Sequence, residues 1–321
     1  MKEQFRAQIE PVPGDERPLW SVMIPVYNCA AYLRKTLETV LQQDPGAEQM
    51  QIEVIDDCST DNPEQIVNEI GRGRVGYYRQ EKNVGHTKNF ETCLKRSKGL
   101  LVHQLHGDDY VLPGFYKEME KLFSQNPSIG AGFCQTFLVN QNDQYTGLTN
   151  LIQTNTGVVP NYINKISYRQ QIFTPSIVVK RAVYEDLGGF DERLKWCEDW
   201  EMWVRISKKY EFGYVPLPLA CYREHNTSNT AKYAKNATKL RDFVEGVKMV
   251  NNYLPEDKRK EHLKDVLNYY GETWVIYEIE KALNAGDKQT AKANLRLANS
   301  MVYAPSVKLR LYKLWFKILK S

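Results

Sequence analysis

Adjacent carboxylates at Asp108 and Asp109 follow an apolar run, Leu100 to Leu105, in the stretch His106-Gly-Asp-Asp-Tyr-Val111. Two anions side by side where a buried strand leaves the core repel each other and lose hydration, so a divalent cation with its own ligand nearby would satisfy both. The chemistry indicated is a metal-held phosphate. A solvated turn is the plainer alternative, because Gly-Asp-Asp is good turn chemistry, and the choice rests on the surrounding motifs.

Five further stretches carry polar groups at the ends of predicted elements. Ser21-Val-Met-Ile-Pro-Val-Tyr-Asn28 ends a strand at Pro25 and presents Tyr27 beyond it, where an aromatic ring can stack on a base. Val54-Ile-Asp-Asp-Cys-Ser-Thr-Asp61 ends a strand directly in carboxylates. A carboxylate accepts the imide N–H of a uracil or thymine, which makes Asp57 the candidate base reader. Asp56 reads as a turn or structural residue, and Ser59 and Asp61 as caps for the helix that follows. Asn83-Val-Gly85 with Lys88-Asn89 sets small and basic groups at a loop-to-helix junction suited to phosphate.

The fourth of these, Lys195-Trp-Cys-Glu-Asp-Trp-Glu-Met-Trp203, opens a helix with Glu198 and Asp199 beside tryptophans. Aromatic walls raise a carboxylate's proton affinity and suit it to take a proton from a hydroxyl, although acids also cap helix starts routinely. Tyr222-Arg-Glu-His-Asn-Thr-Ser228 offers Arg223 and His225 to clamp a diphosphate or complete a metal shell. No G-x-G-x-x-G or G-x-x-x-x-G-K follows the first strand, which argues against a dinucleotide oxidoreductase or a P-loop phosphotransferase.

These groups need a scaffold, and the hydrophobic pattern supplies one. Apolar runs at Leu19–Val26, Gln51–Ile55, Val75–Tyr78 and Leu100–Leu105 alternate with helical stretches at Ala30–Gln43, from Pro63, and at His86–Arg96. This is β-α-β-α-β-α-β, which predicts a mostly parallel sheet covered by helices on both faces, with ligands beyond the carboxyl ends of its strands. From about Pro127 a strand at Ile129–Val139, a Gln/Asn/Thr-rich loop to about Asn164, a strand at Ser176–Lys180, a helix at Cys197–Lys209 and a short strand at Phe212–Pro216 are expected. Beyond Ala231 the chain reads as helical, near 232–253, 257–285, 287–300 and 306–320. The expected organisation is a catalytic domain over 1–230 and a basic helical region over 231–321.

Charge marks the same boundary. Residues 231–321 hold 18 Lys/Arg against 10 Asp/Glu, a net +8, and the rest of the chain holds 25 against 29, a net −4. The tail therefore points toward an anionic partner, a lipid surface or a phosphorylated acceptor, with a solvated helical surface as the bland alternative. On a helical wheel over 307–320, Arg310, Lys313, Lys317 and Lys320 cluster opposite Leu311, Leu314, Trp315, Ile318 and Leu319. Such a helix either lies in a membrane interface or docks on the preceding helices with its lysines in water. The six scattered cysteines make no C-x-x-C pair and suit a reducing, cytoplasmic setting. A polar, proline-punctuated start argues against a secretory signal, and the apolar runs are too short to span a bilayer.

Taken in order, these segments resemble an inverting family 2 glycosyltransferase with the nucleotide-sugar-binding GT-A fold, over Leu19 to about Ser228. The resemblance implies that Pro25, Tyr27 and Asp57 hold the base and that Asn83 and Lys88 approach the diphosphate. It implies a D-x-D-type metal site at Asp108 and Asp109, with Asp109 the direct ligand of Mn²⁺ or Mg²⁺. Asp199 matches the catalytic base, with Glu198 beside it among the donor contacts, and Arg223 matches a diphosphate contact. His225 is a second candidate metal ligand. His106 stands where many members carry a further acid, and Lys88 where an arginine is common. The expected partners are a nucleotide-sugar donor, a UDP-sugar above all, and a hydroxyl of a saccharide or lipid-linked glycan, as in surface polysaccharide assembly, with no nucleic acid. The rival readings are a nucleotide-sugar-binding protein without catalysis and a sugar nucleotidyltransferase.

Overall fold

In a computed structural model of the 321-residue chain, residues 5–14, 16–226, 233, 237–301 and 304–320 are described. Thr227, Ser228 and Lys232, which close one motif and open one expected helix, lie outside them. The chain divides into two compact units, one of Met1–Ile163, Gln171–Glu192 and Ile206–Glu224, the other of Asn164–Gln170, Arg193–Arg205 and His225–Ser321.

The first unit is built on a single twisted sheet. Its first half follows the apolar alternation closely: β1 (Trp20–Val26), α1 (Ala30–Leu41), β2 (Met50–Asp56), α2 (Pro63–Gly71), β3 (Gly76–Arg79), α3 (His86–Arg96) and β4 (Leu101–Gln104). The strands lie in the order β3-β2-β1-β4, all parallel. β1 is buried at all seven positions, as a strand covered on both faces must be. Leu33, Leu37 and Val40 of α1 pack into the same core as Val22, Ile24 and Val54.

Beyond β4 the sheet becomes mixed. β5 (Tyr110–Val111), α4 (Phe115–Gln125), β6 (Ile129–Asn140), β7 (Tyr145–Leu148), β8 (Gly157–Val159), β9 (Ile177–Lys180), α6 (Arg181–Leu187) and β10 (Glu211–Glu224) follow; a short α5 (Ile163–Ile166) falls between β8 and β9 in sequence and, from Asn164, in the second unit. β9 runs antiparallel to both β4 and β6, and β6 and β10 are parallel. Two expectations are corrected. The polar stretch after β6, read as loop, contains β7 and β8, whose partly exposed edge positions carry no apolar run and which pair with β6 and β10 respectively. The short strand expected over Phe212–Pro216 continues to Glu224, because register shifts around Val215, Pro218 and Ala220 absorb the prolines that looked like terminators.

The second unit contains α7 (Glu198–Ser207) up to Arg205, then α8 (Thr238–Asn251), α9 (Glu256–Tyr270), α10 (Ile276–Asn284), α11 (Lys288–Met301) and α12 (Pro305–Lys320). A π turn at Gly271–Val275 joins α9 to α10, so the stretch read as one helix over 257–285 is nearly continuous. Trp200 stacks parallel to Phe243 at 6.1 Å, and Tyr270 and Trp274 close around Phe243. Among the described residues no helix is long and apolar enough to cross a membrane.

Candidate active site

Three parallel strands of the first unit finish side by side. The Asp57 N–H donates to the Val26 carbonyl at 2.9 Å and the Gly107 N–H to the Pro25 carbonyl at 3.1 Å. The segments after β1, β2 and β4 thus emerge together, bringing Pro25, Tyr27, Asp57 and the His106–Asp109 turn to one edge. Asn28 ties the first two loops, its side-chain oxygen accepting from the Thr60 N–H at 2.8 Å and its own N–H donating to Ser59 Oγ at 3.0 Å.

Asp56 and Asp57 divide the work. Asp56 is fully buried and accepts from the Ser59 N–H and hydroxyl, the Tyr77 hydroxyl and Arg79, the structural part expected of it. Asp57 accepts the N–H groups of Val84 at 2.7 Å and Gly85 at 3.0 Å, and its carbonyl accepts from Asn83 Nδ2. Burial raises its carboxyl above the usual range while those two N–H groups pull it back. A carboxylate has about four lone-pair sites, so two filled ones leave room for a ligand N–H. Tyr27 is 41% exposed at the strand end. Lys88 is exposed in the first turn of α3, 4.0 Å from Glu192. Both caps expected for α2 differ: Ser59 Oγ donates to Asp56 and accepts the Asn28 N–H, and Asp61 accepts the Ala30 N–H at the start of α1, as the positive φ of Cys58 and Asn62 turns the loop back toward β1.

The acidic turn is held from three sides. A Cβ at Gly107 would stand 2.8 Å from Val26 Cγ2 and 3.0 Å from Cys29 Sγ, so only glycine permits this approach. Thr36 Oγ1 of α1 donates to the carbonyls of Gly107 at 3.1 Å and Asp109 at 2.6 Å. Arg223, buried near the end of β10, donates its N–H to Asp109 Oδ1 at 2.8 Å and Nε to the Asp108 carbonyl at 2.8 Å. Its guanidinium also meets the Asn140 carbonyl and Asp143 and lies over the rings of Tyr32 and Tyr110. Arg223 therefore braces the turn with its side chain and main chain together.

One ligand atom from each of His106, Asp108 and Asp109 lies within 4.8 Å of the others. Asp109 Oδ2 is buried, accepts no hydrogen bond among the described residues, and stands 4.0 Å from His106 Nδ1. Burial, then the charge of Asp108, pushes the Asp109 carboxyl well above the usual carboxylate range, against the pull of Arg223. A second carboxylate and an imidazole beside that oxygen make a donor set that a divalent cation fits. His106 was absent from the expected ligands. Phe90 of α3 stacks on its ring at 4.9 Å and sets its orientation. His225 falls in the second unit.

In the second unit, Asp199 opens α7 half-buried, with Glu198 buried beside it. Asp199 Oδ1 accepts the Trp200 N–H at 2.6 Å and Oδ2 accepts from Gln170 Nε2 at 2.9 Å. Desolvation first, and then repulsion from Glu198, push its carboxyl up to about 8, while those two donors act in the opposite direction. The Gln170 N–H in turn donates to the Tyr270 hydroxyl at 3.1 Å. The loop entering α7 is held by Asp242 of α8, whose carboxylate accepts the N–H groups of Lys195, Trp196 and Cys197 at 2.7 to 2.8 Å. Gln170 and Asp242 were not singled out from the sequence.

The fold finds counterparts. The family model for glycosyl transferase family 2 matches residues 21–180, and the chain belongs to that family. An uncharacterized glycosyltransferase of Mycoplasma genitalium is 28% identical over 73% of this chain and 78% of its own. The crystal structure of S. aureus TarS 1–349 in complex with UDP-GlcNAc superposes with a TM-score of 0.67 at 19% identity, covering 94% of this chain and 88% of that one. The mannosyltransferase PcManGT from Pyrobaculum calidifontis, in complex with GDP-Man and Mn²⁺, gives a TM-score of 0.58 at 16% identity over 99% of this chain and 91% of the other. The fold is GT-A, and the protein is a glycosyltransferase.

Proposed function

We propose that this enzyme moves a sugar from a uridine diphosphate donor to a hydroxyl of a saccharide or lipid-linked glycan, with inversion at the anomeric carbon. The observation that carries the reading is the buried Asp109 oxygen, gathered with Asp108 and His106 where parallel strands end. The UDP-GlcNAc bound by the S. aureus relative and the GDP-Man and Mn²⁺ bound by the Pyrobaculum enzyme support a nucleotide-sugar donor and a divalent metal.

In this reading Tyr27 stacks on the base, Pro25 shapes the backbone at its edge, and Asp57 accepts its imide N–H. Asn83 and Lys88 meet the diphosphate, and Arg223 adds positive charge while fixing the turn. Asp109, Asp108 and His106 would hold Mn²⁺ or Mg²⁺, with His225 as a further candidate ligand. A bound cation supplies neutralisation of the charge that gathers on a departing diphosphate. Asp199 takes the proton of the acceptor hydroxyl as that oxygen bonds to the anomeric carbon, and the bond from that carbon to the diphosphate oxygen breaks. Glu198 keeps the proton affinity of Asp199 high and lines the donor sugar. Residues 1–230 carry the chemistry and 231–321 form the appended helical region.

A screen of nucleotide sugars for Mn²⁺-dependent release of the nucleotide tests the proposal. One or more UDP-sugars should be turned over, and Asp199→Asn should lower turnover about 10²- to 10⁴-fold. Failure of every donor to bind or react would overturn it.

A further inference from the structure

The last helix has two apolar faces, and its own unit covers one of them. Val307, Leu311, Leu314 and Ile318 form a single stripe, each at most 6% exposed. Leu309, Tyr312, Trp315, Phe316 and Leu319 are 43 to 59% exposed. Trp315 and Leu319 are thus not on the covered side, where the helical wheel had grouped them with Leu311, Leu314 and Ile318. At about 100° per residue the five exposed side chains fill an arc of about 120°, and Arg310, Lys313 and Lys317 fill an adjoining arc of about 60°.

The exposed rings touch one another, with Tyr312 to Phe316 at 4.9 Å, Trp315 to Phe316 at 5.1 Å and Tyr312 to Trp315 at 6.1 Å. They form a plate rather than scattered single residues, and a contiguous exposed apolar plate marks an interaction surface. From Pro305 to Lys320 the sequence contains no acid, and the region 231–321 carries a net +8.

We propose that the outer face of α12 docks on an anionic phospholipid surface. The five apolar side chains enter the boundary between headgroups and acyl chains, where Trp and Tyr rings are favoured, and Arg310, Lys313 and Lys317 meet lipid phosphates from the side. Lys308, exposed within the apolar arc between Trp315 and Leu319 at the start of the helix, reaches the headgroups along its aliphatic stem. Charge selects this occupant. A second copy of the helix would set the same cations against each other, whereas an anionic bilayer offers apolar depth and negative charge in one surface. The surface stands independently of which sugar the enzyme transfers.

Co-sedimentation of the full chain with phosphatidylcholine vesicles, with and without phosphatidylglycerol, tests the proposal. Binding is expected only with the anionic lipid, weakening as salt rises. The double variant Lys313→Gln/Lys317→Gln should weaken partitioning about 30-fold, from about a fivefold factor per cation. Tyr312→Ser/Phe316→Ser should also reduce binding while leaving circular dichroism and thermal unfolding unchanged, because those rings already face water. The vesicle-induced blue shift of tryptophan emission should shrink in Trp315→Phe. Parent protein that stays in the supernatant with anionic vesicles would overturn the proposal. So would binding indifferent to both double variants, or a dimer in sedimentation equilibrium that Tyr312→Ser/Phe316→Ser abolishes.

Discussion

Replacing Gln170 by Met removes one amide donor from Asp199 while keeping the length of the side chain. In the parent that amide sits 2.9 Å from Oδ2 and favours the ionised form, against a carboxyl that burial and Glu198 hold up to about 8. A hydrogen bond to a charged acceptor contributes about 1.5–3 kcal/mol, and the partial hydration of a half-buried group leaves roughly half of it, close to one pKa unit. With the carboxyl near 8 about a tenth of Asp199 is ionised at pH 7, and the variant would have about a hundredth. A general base must be ionised to act, so the acid limb of kcat/KM should move up by about one unit. The loss at pH 7 should be about tenfold and should shrink to little above pH 9. The assay is nucleotide release against pH, with parent and variant measured at saturating Mn²⁺. An acid limb left in place, or a loss of equal size at every pH, would rule out this role for Gln170.

Asp199→Asn should change stability in a pH-dependent way. A carboxyl whose folded-state pKa is raised supports folding most below its unfolded value and loses that support as pH rises through the folded value. Urea unfolding should therefore find the Asn variant more stable than the parent at pH 9, with the difference vanishing or reversing near pH 4. Thr36→Val leaves the buried carbonyls of Gly107 and Asp109 without their donor, and should cost about 1–3 kcal/mol by denaturant unfolding while weakening donor affinity. Asp242→Asn keeps one acceptor oxygen of two for three N–H groups, so kcat should fall more than donor affinity as the loop before α7 loosens. Equal losses in kcat and in calorimetric donor affinity would contradict that role.

The parallel half of the sheet was legible because buried strands are continuous apolar runs: β1 and β2 and the helices that cover them lie within a residue or two of where the pattern put them. The turn at Asp108 and Asp109 was legible for the same reason, since two acids after such a run are costly unless something binds them. The rest was written in long-range partners. Nothing local marks Gln170, which reaches Asp199 across 29 residues, or Asp242, which reaches Lys195 across 47. β10 was cut short because Pro216 and Pro218 look like terminators until bulges against β6 accommodate them. The wheel over α12 separated its basic side but did not distinguish the apolar side chains that pack inward from those that face water, because that depends on which neighbours the helix meets.

Calorimetric titration of UDP into parent and Asp109→Ala protein, each with Mn²⁺ and with EDTA, tests whether the acidic turn binds a cation which in turn holds a nucleotide diphosphate. The parent should bind UDP tightly with Mn²⁺ and lose most of that affinity on addition of EDTA or removal of the Asp109 carboxylate. Equal affinity in all four titrations would contradict it.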